Sequence, residues 1–269
     1  MMVISRSRNV GLFAEITTTI RHIKVIKESN KKVFIDWNSG NSLYYDERYG
    51  QNVWEYYFDK VDGDFDGDVE GVFGDYIEMY PHESLNIRET FNYIYNKYIK
   101  LNENTQRIID ENIKIVNNKT LGVHIRKTDK FFGVQFGEPM SIPVDDELVM
   151  KLIDEQLENY DSLFIATDCE DTYEIFKKRY SDKIISNDNR IRGRGNIAQH
   201  TSNRSNGYDK GLECLIDCYI LSNCGFLVRS TSNVSSFSMF LNLDLECINI
   251  NEIYRDDTRE HEFNIISKI

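Results

Sequence analysis

From Thr120 onward the chain alternates short apolar runs with stretches of helical period, and no other feature limits its fold so tightly. "TLGVHIR", "SLFIATD", "KIIS", "GFLVRS" and "ECINI" are brief, rich in Val, Ile, Leu and Phe, and bounded by polar residues, the pattern of buried strands. Between them lie helical segments: about Asp145 to Glu158, "EDTYEIFKKRY", "GYDKGLECLIDCYILSN" and "SSFSMFLN". Strands separated by helices lie parallel and are joined by right-handed crossovers, which predicts an open, doubly wound sheet. Ligands of such sheets collect beyond the carboxyl ends of the strands. The residues that close each strand are therefore the first candidates for a site.

The first half is less regular. "MMVIS" and "KKVFIDW" predict strands on either side of a helix from Gly11 to about Ser29, whose Leu12, Ile16, Ile20, Ile23 and Ile26 recur at helical spacing. An aromatic stretch, "SLYYDERYGQNVWEYYFDK", and an acidic loop follow, then one or two helices ending near Val116. The expected fold class is α/β, with two Rossmann-like domains facing across a cleft. Residues 1–116 form the first, 117–269 the second, and the C-terminal tail is left able to pack back on the first.

Charge and composition narrow the function. A formal charge of −12 argues against a nucleic-acid binder or a protein held on anionic lipid by charge. Five cysteines without paired C-x-x-C spacing suit reduced thiols in a cytoplasmic protein better than disulfides or zinc. No run approaches the ~18 apolar residues of a membrane span, and the start lacks the apolar core of a signal peptide; peripheral membrane association is left open. The absence of GxxxxGK[ST], and of GxGxxG after a strand, disfavours a nucleotide-dependent kinase and a dehydrogenase.

Against this acidic background, "TLGVHIRKTDK" concentrates positive charge where a strand ends. Alternation puts His124 and Arg126 on one face and Val123 and Ile125 on the other. Arg126 then stands at the carboxyl end, and its planar fork suits a phosphate; an ion pair with Asp129 at a surface strand end is an equal reading. Asp168 follows the strand "SLFIAT" and can accept from a ribose hydroxyl, fix a loop or cap the helix beginning near Asp171. Asp217 borders the apolar face of its helix, where a carboxylate is costly unless paired, so it either bonds a loop or reads a nucleotide. Ser230, Thr231, Ser232, Asn233 and Ser235 lead into a helix whose free N–H groups offer a phosphate seat.

"GVHIRKTDK", "LFIATD" and "GLECLIDCYILSNCGFLVRSTSNVSSF", in that order and rough spacing over about Leu121 to Leu241, resemble the donor-binding half of the core α-1,6-fucosyltransferases and the rhizobial nodulation fucosyltransferases. "GLFAEI" and "NVWEYYF" carry a weaker likeness in the first half. The resemblance implies a GT-B-like fold with the nucleotide sugar on the C-terminal domain and the acceptor mostly on the N-terminal one. It implies transfer of L-fucose from GDP-fucose to a glycan hydroxyl with inversion and without a metal or other cofactor. Arg126 would neutralise the diphosphate leaving group, His124 would contact the nucleotide and Asp217 would hold the guanine. Ser232 and Asn233 would lie near the phosphates, Arg204 falls close to a loop arginine of the family, and Asp168 matches an acid important there.

Departures from the pattern matter. Lys127 stands where the family usually has a second arginine, and Val134 where it has its glutamate base, which leaves Asp129 and Glu138 as candidate bases. The membrane anchor of the animal enzymes is missing, so the resemblance points to a cytoplasmic microbial or viral relative. A different nucleotide sugar, or a non-catalytic glycan-binding or assembly protein with the same fold, are the alternatives.

Other segments have two readings each. "DGDFDGDVEGVF" fits the first half of a calcium loop, but Phe73 occupies the place of the bidentate glutamate, and a solvated acidic loop is favoured. Arg190, Arg192 and Arg194 belong either to a loop that folds over an anion or to a surface loop. Arg6 and Arg8 should face the cleft, and most of Tyr44, Tyr45, Trp54, Tyr56 and Tyr57 should be core or interface residues, with one or two lining the cleft.

Overall fold

The computed structural model describes residues 1–6, 10–37, 42–65, 67–73, 85–128, 145–185, 190–194 and 206–253, together with the backbone of 134–135 and 138–139. Two parallel sheets organise it. In the first, β1 (Met2–Arg6) lies between β2 (Val33–Trp37) and β3 (Gly71–Phe73). Met2 registers with Val33 and with Gly71, and Arg6 with Trp37. The crossover helix α1 (Leu12–Glu28) buries Leu12, Phe13, Ile16, Ile20, Ile23 and Ile26, the stripe that its spacing predicts.

The second sheet contains β4 (Thr120–Ile125), β7 (Ser162–Thr167), β8 (Ile184–Ile185), β9 (Phe226–Arg229) and β10 (Cys247–Asn249), in the order β10-β9-β4-β7-β8 and all parallel. A two-residue antiparallel pair, β5 (Val134–Gln135) and β6 (Glu138–Pro139), falls between β4 and β7 in the chain. Renumbered within the second sheet, the strand order is 3-2-1-4-5. Its switch point lies between β4 and β9, where connections leave for opposite faces. On one face Leu121, Val123, Ile125, Leu163 and Ile165 pack with α4 (Asp146–Gln156) and α5 (Glu170–Arg179). On the other, Phe164, Ala166 and Leu227 meet α6 (Gly207–Ser222) and α7 (Asn233–Leu241).

The cluster on that second face continues into the first half of the chain. Phe13 of α1 packs on Phe237 with ring centroids 5.0 Å apart, and Phe91 of α2 (Leu85–Tyr98) stacks on Phe240 at 4.7 Å. Arg88 reaches the carbonyls of Met239, Asn242, Leu243 and Leu245 just past α7, supplying acceptor-rich backbone with donors. Helix α6 also comes close to the first half. A Cβ on Gly211 would lie 2.1 Å from the Tyr57 hydroxyl, and one on Gly207 2.3 Å from the Tyr45 carbonyl.

Three sequence expectations gain detail. The acidic segment ends in strand β3, which exists through its pairing with β1 and has Val72 largely exposed. The stretch before Val116 is two helices, α2 and α3 (Glu103–Asn112), because Asn102 caps the second by accepting from Thr105 N at 2.9 Å. The acidic loop is tied by cations of the chain itself: Asp62 takes Lys27 and the Val33 N–H, Asp64 takes Lys60 at 2.6 Å, and Glu70 takes Lys31 at 2.6 Å. Among the described residues no group of three His, Cys, Asp or Glu could hold a metal ion, and no helix is long and apolar enough to cross a membrane.

Candidate functional site at the carboxyl ends of the strands

Strand β4 is buried throughout. Val123 and Ile125 face α4 and α5, and His124, 5% exposed, faces the other way as the alternation predicts. Beyond it the chain is held by two neighbours. Arg126 N donates to Ser230 Oγ at 2.8 Å, and Ser230 N donates to His124 O at 2.9 Å, which ties the end of β4 to the end of β9 at the switch point. From the other side comes Asp168, which follows β7. Its carboxylate accepts from Lys127 N at 2.8 Å and from the Thr128 hydroxyl, and it pairs with Arg126 Nη1 at 3.0 Å. Of the three readings of Asp168 on sequence, this geometry matches loop fixing. The cap position of α5 belongs to Cys169, which makes no side-chain cap bond.

The Arg126 side chain is 17% exposed and that of Asp168 5%, so the pair is largely removed from water, where its Coulomb attraction is strong. Lys127, in the place of a second arginine, turns to Asp146 at the start of α4, with Nζ 2.5 Å from Oδ1. It thereby pairs with an acidic residue of that helix's first turn.

A parallel arrangement closes the first sheet. Arg6, the last residue of β1, is 3% exposed and bonds Glu15 of α1 at 2.5 Å. Tyr44 fits between the two sheet ends. Its hydroxyl accepts from Leu12 N at 2.8 Å, and burial holds its pKa above the usual tyrosine range against the lowering pull of the Arg126 charge. Cys214 of α6 lies in the same surroundings: burial, then the Asp217 charge, raise its thiol to about 12 while Arg126 acts to lower it. The Arg126 charge therefore acts on both Tyr44 of the first half and Cys214 of the second. Arg8 lies outside the described residues.

Asp217 points to the segment after β8. Its Oδ1 is 2.8 Å from Arg190 Nη2, and Arg190 Nη1 also donates to Glu213 O at 3.0 Å. Burial raises the Asp217 pKa, and Arg190 and Arg192 oppose the rise. Arg192 lies 3.4 Å from the Tyr173 ring centroid, and Gly193 forms a bridge with Cys169, so the segment is pinned on both sides. Phe164 to Thr167, Arg190 to Arg192 and Asp217 enclose about 10 Å³. That space admits about one water. A base held by Asp217 would have to displace the arginine segment or approach from its other side. Arg194, by contrast, is exposed.

At the end of β9, Ser232 caps α7 by accepting from Val234 N at 3.3 Å, and Ser235 returns its hydroxyl to Ser230 O at 2.9 Å. Arg229 is fully buried and donates to Ser235 Oγ at 3.2 Å. Asn233 opens the helix, and its enclosed Oδ1 has no hydrogen-bond partner among the described residues.

His124, Arg126 and Asp168 thus share one cluster with Ser230, and Ser232 and Asn233 follow it. Asp217 belongs to the neighbouring arginine cluster. Asp129 and Arg204 lie outside the described residues, as does the side chain of Glu138. Sequence reading missed the part of Thr128, 1% exposed, and the partner of Tyr44, a residue it placed among core, interface or cleft positions. A threonine directly after a basic strand end is a signal of the first; the second has none, because its partner Leu12 is 32 residues away.

No protein-family model matches the chain, and no curated protein sequence matches it. Solved structures do. NodZ alpha-1,6-fucosyltransferase soaked with GDP-fucose superposes with a TM-score of 0.57 at 15% identity, over 90% of this chain and 92% of the other. Arabidopsis thaliana FUT1 in complex with GDP gives 0.51 at 12% identity, over 89% and 68%. POFUT1 in complex with GDP gives 0.51 at 8% identity, over 91% and 97%. The chain has the two-sheet α/β fold of these GT-B fucosyltransferases.

Proposed function

We propose that the protein is a glycosyltransferase that moves L-fucose from GDP-fucose to a glycan hydroxyl, with inversion and without a metal. The reading rests above all on Arg126. It is braced by Asp168 at the switch point of a 3-2-1-4-5 sheet, in a fold whose solved neighbours include fucosyltransferases with GDP or GDP-fucose. An arginine fixed there by a carboxylate is suited to meet a diphosphate, stabilising the negative charge that grows as the glycosidic bond breaks. Because Asp168 sets the guanidinium beforehand, little reorganisation is needed as that charge develops. The start of α7 after Ser232 would seat the phosphates from the other side of the switch point. His124 would contact the nucleotide, and Asp217 the guanine once the Arg190 segment shifts.

In this reading residues 117–269 take the donor and 1–116 most of the acceptor, in the cytoplasm. Asp129 and Glu138 remain the proposed bases, with Arg204 a further donor contact. A base needs only to reach the acceptor hydroxyl in the line of attack. Val134, where a glutamate base is expected, favours a second reading: a glycan-binding protein that keeps the donor site and does not turn over.

Melting curves with GDP, UDP and CMP test the donor: GDP should raise the midpoint without added metal, and protection by UDP alone would discard the fucosyl assignment. Arg126→Ala should abolish GDP protection and transfer from GDP-fucose across a glycan array. Wild-type protein that binds GDP-fucose and glycan yet releases no GDP with any acceptor supports the second reading.

A further inference from the structure

Helix α6 runs from Gly207 to Ser222 and connects parallel strands of one sheet. It must therefore run antiparallel to them, with its first turn level with their carboxyl ends. Lys210, Cys214 and Asp217 lie on one stripe of this helix, spaced by four and three residues. Two of them already belong to the site: Asp217 bonds Arg190 at 2.8 Å, and Cys214 lies in the field of Arg126. Side chains on a helix lean toward its N-terminus, so Lys210, one turn before Cys214, leans away from it toward the region beyond the strand ends. The flanking Gly207 and Gly211 bring this turn against Tyr45 and Tyr57. Lys210 therefore stands where the two halves of the chain meet.

Its surroundings are unusual for a lysine. It is 8% exposed, and among the described residues its ammonium makes no hydrogen bond or ion pair. Burial lowers its pKa. The buried arginines of the site are differently placed: Arg6 has Glu15, Arg126 has Asp168 and Arg190 has Asp217. Removing an ammonium from water without a counter-charge is costly. In a chain with 44 Asp and Glu, carboxylates are not scarce. The Lys210 Nζ is not among the sealed, unsatisfied polar atoms, so it keeps some contact with water: its desolvation is partial, and a ligand can reach it.

We propose that Lys210 is an anion-binding residue, taking a phosphate or carboxylate oxygen of a ligand held between the carboxyl ends of the two sheets. Two sources supply that chemistry: the diphosphate of the donor, which rests on the nucleotide-sugar reading above, or an acidic group on the acceptor, which does not depend on which nucleotide is used. In either case the ligand provides the counter-charge that the fold omits, and the cost of the bare ammonium is relieved on binding.

Titration calorimetry of wild type, Lys210→Met and Lys210→Gln with GDP, guanosine, pyrophosphate and glucuronate tests this, with melting curves of each protein alone. The ligand-free variants should melt at or above wild type, because a poorly hydrated charge is gone. Affinity for the anion that uses the lysine should fall about 10-fold or more. Loss for GDP and pyrophosphate with guanosine unaffected assigns the donor diphosphate, and loss for glucuronate alone assigns an acidic acceptor. Variants that melt below wild type and bind every anion unchanged overturn the proposal, as does a wild type that binds none of the anions. Failure of GDP alone removes the nucleotide-sugar reading, while pyrophosphate and glucuronate still decide the role of Lys210.

Discussion

Asp168 offers the sharpest test of how the site is built, because one carboxylate serves three donors of the adjoining loop. In Asp168→Ala, Lys127 N–H and the Thr128 hydroxyl lose their acceptor, and Thr128 is only 1% exposed. Each donor left without an acceptor costs about 1–3 kcal/mol. The same change removes the carboxylate paired with Arg126, whose side chain is 17% exposed; breaking a buried pair costs about 3–5 kcal/mol. These costs overlap, since water entering the gap serves all three groups, so the expected loss is about 3–5 kcal/mol. Asp168→Asn separates the contributions. Its remaining oxygen can accept from Lys127 N, and its amide can donate to a turned Thr128 hydroxyl, so chiefly the Arg126 pair is lost. Because the Arg126 side chain is 17% exposed, water offsets part of the cost of a fully buried pair, and the expected loss is about 1–3 kcal/mol, below that of the alanine variant. Urea unfolding with linear extrapolation measures both variants, and GDP titration follows the orientation of Arg126. If the alanine variant loses less than about 1 kcal/mol, or if the two variants are equally stable, the carboxylate does not organise this loop and the reasoning fails.

Two further outcomes follow from packing and charge. Gly211→Ala, which improves an exposed helix by up to about 1 kcal/mol, should here destabilise by about 1–3 kcal/mol because the new methyl meets the Tyr57 hydroxyl at 2.1 Å. Adding Tyr57→Phe should recover part of the loss, and additive effects in the double mutant would refute the contact. Asp217 has a folded pKa raised by burial, so its contribution to stability is full below the unfolded value near 3.8 and is lost as pH rises through the folded value. Asp217→Asn should therefore gain on wild type as pH rises above about 4, and parallel denaturation curves between pH 4 and 7 that keep a constant difference would contradict it.

Much of the second sheet was legible in the sequence. Runs such as Leu121 to Ile125 are buried on both faces and carry a continuous apolar signal that needs no knowledge of partners. Strand β3 had no such signal. It has three residues, Val72 is exposed, and only the nonlocal ladder to Met2, Val3 and Ile4 makes it a strand. The break between α2 and α3 was ambiguous for a related reason. Ile99 and Leu101 continue the apolar content, while Asn102 ends it through a cap whose three-residue reach fits either a cap or a helix interior.

For the site, topology made positions legible and left partnerships hidden. A parallel sheet places Arg126, Asp168 and Ser230 at strand ends whatever their identity, so each could be found from its own strand. Their joining could not, since Asp168 is 41 residues from Lys127 and Ser230 is 104 from Arg126. The same limit applies to Arg6 with Glu15 and Arg190 with Asp217, and it explains why a chain of net charge −12 concentrates cations at these ends. Exposed arginines among so many acids would be screened and would pair in shifting ways, at about 0–1 kcal/mol each. Buried beside one fixed carboxylate, a guanidinium has a set plane and a weaker net field. The carboxylate that orients it therefore also reduces its pull on a ligand. A site of this kind relies on direction more than on positive charge, and under the proposal above Lys210 would supply the charge that the paired arginines give up.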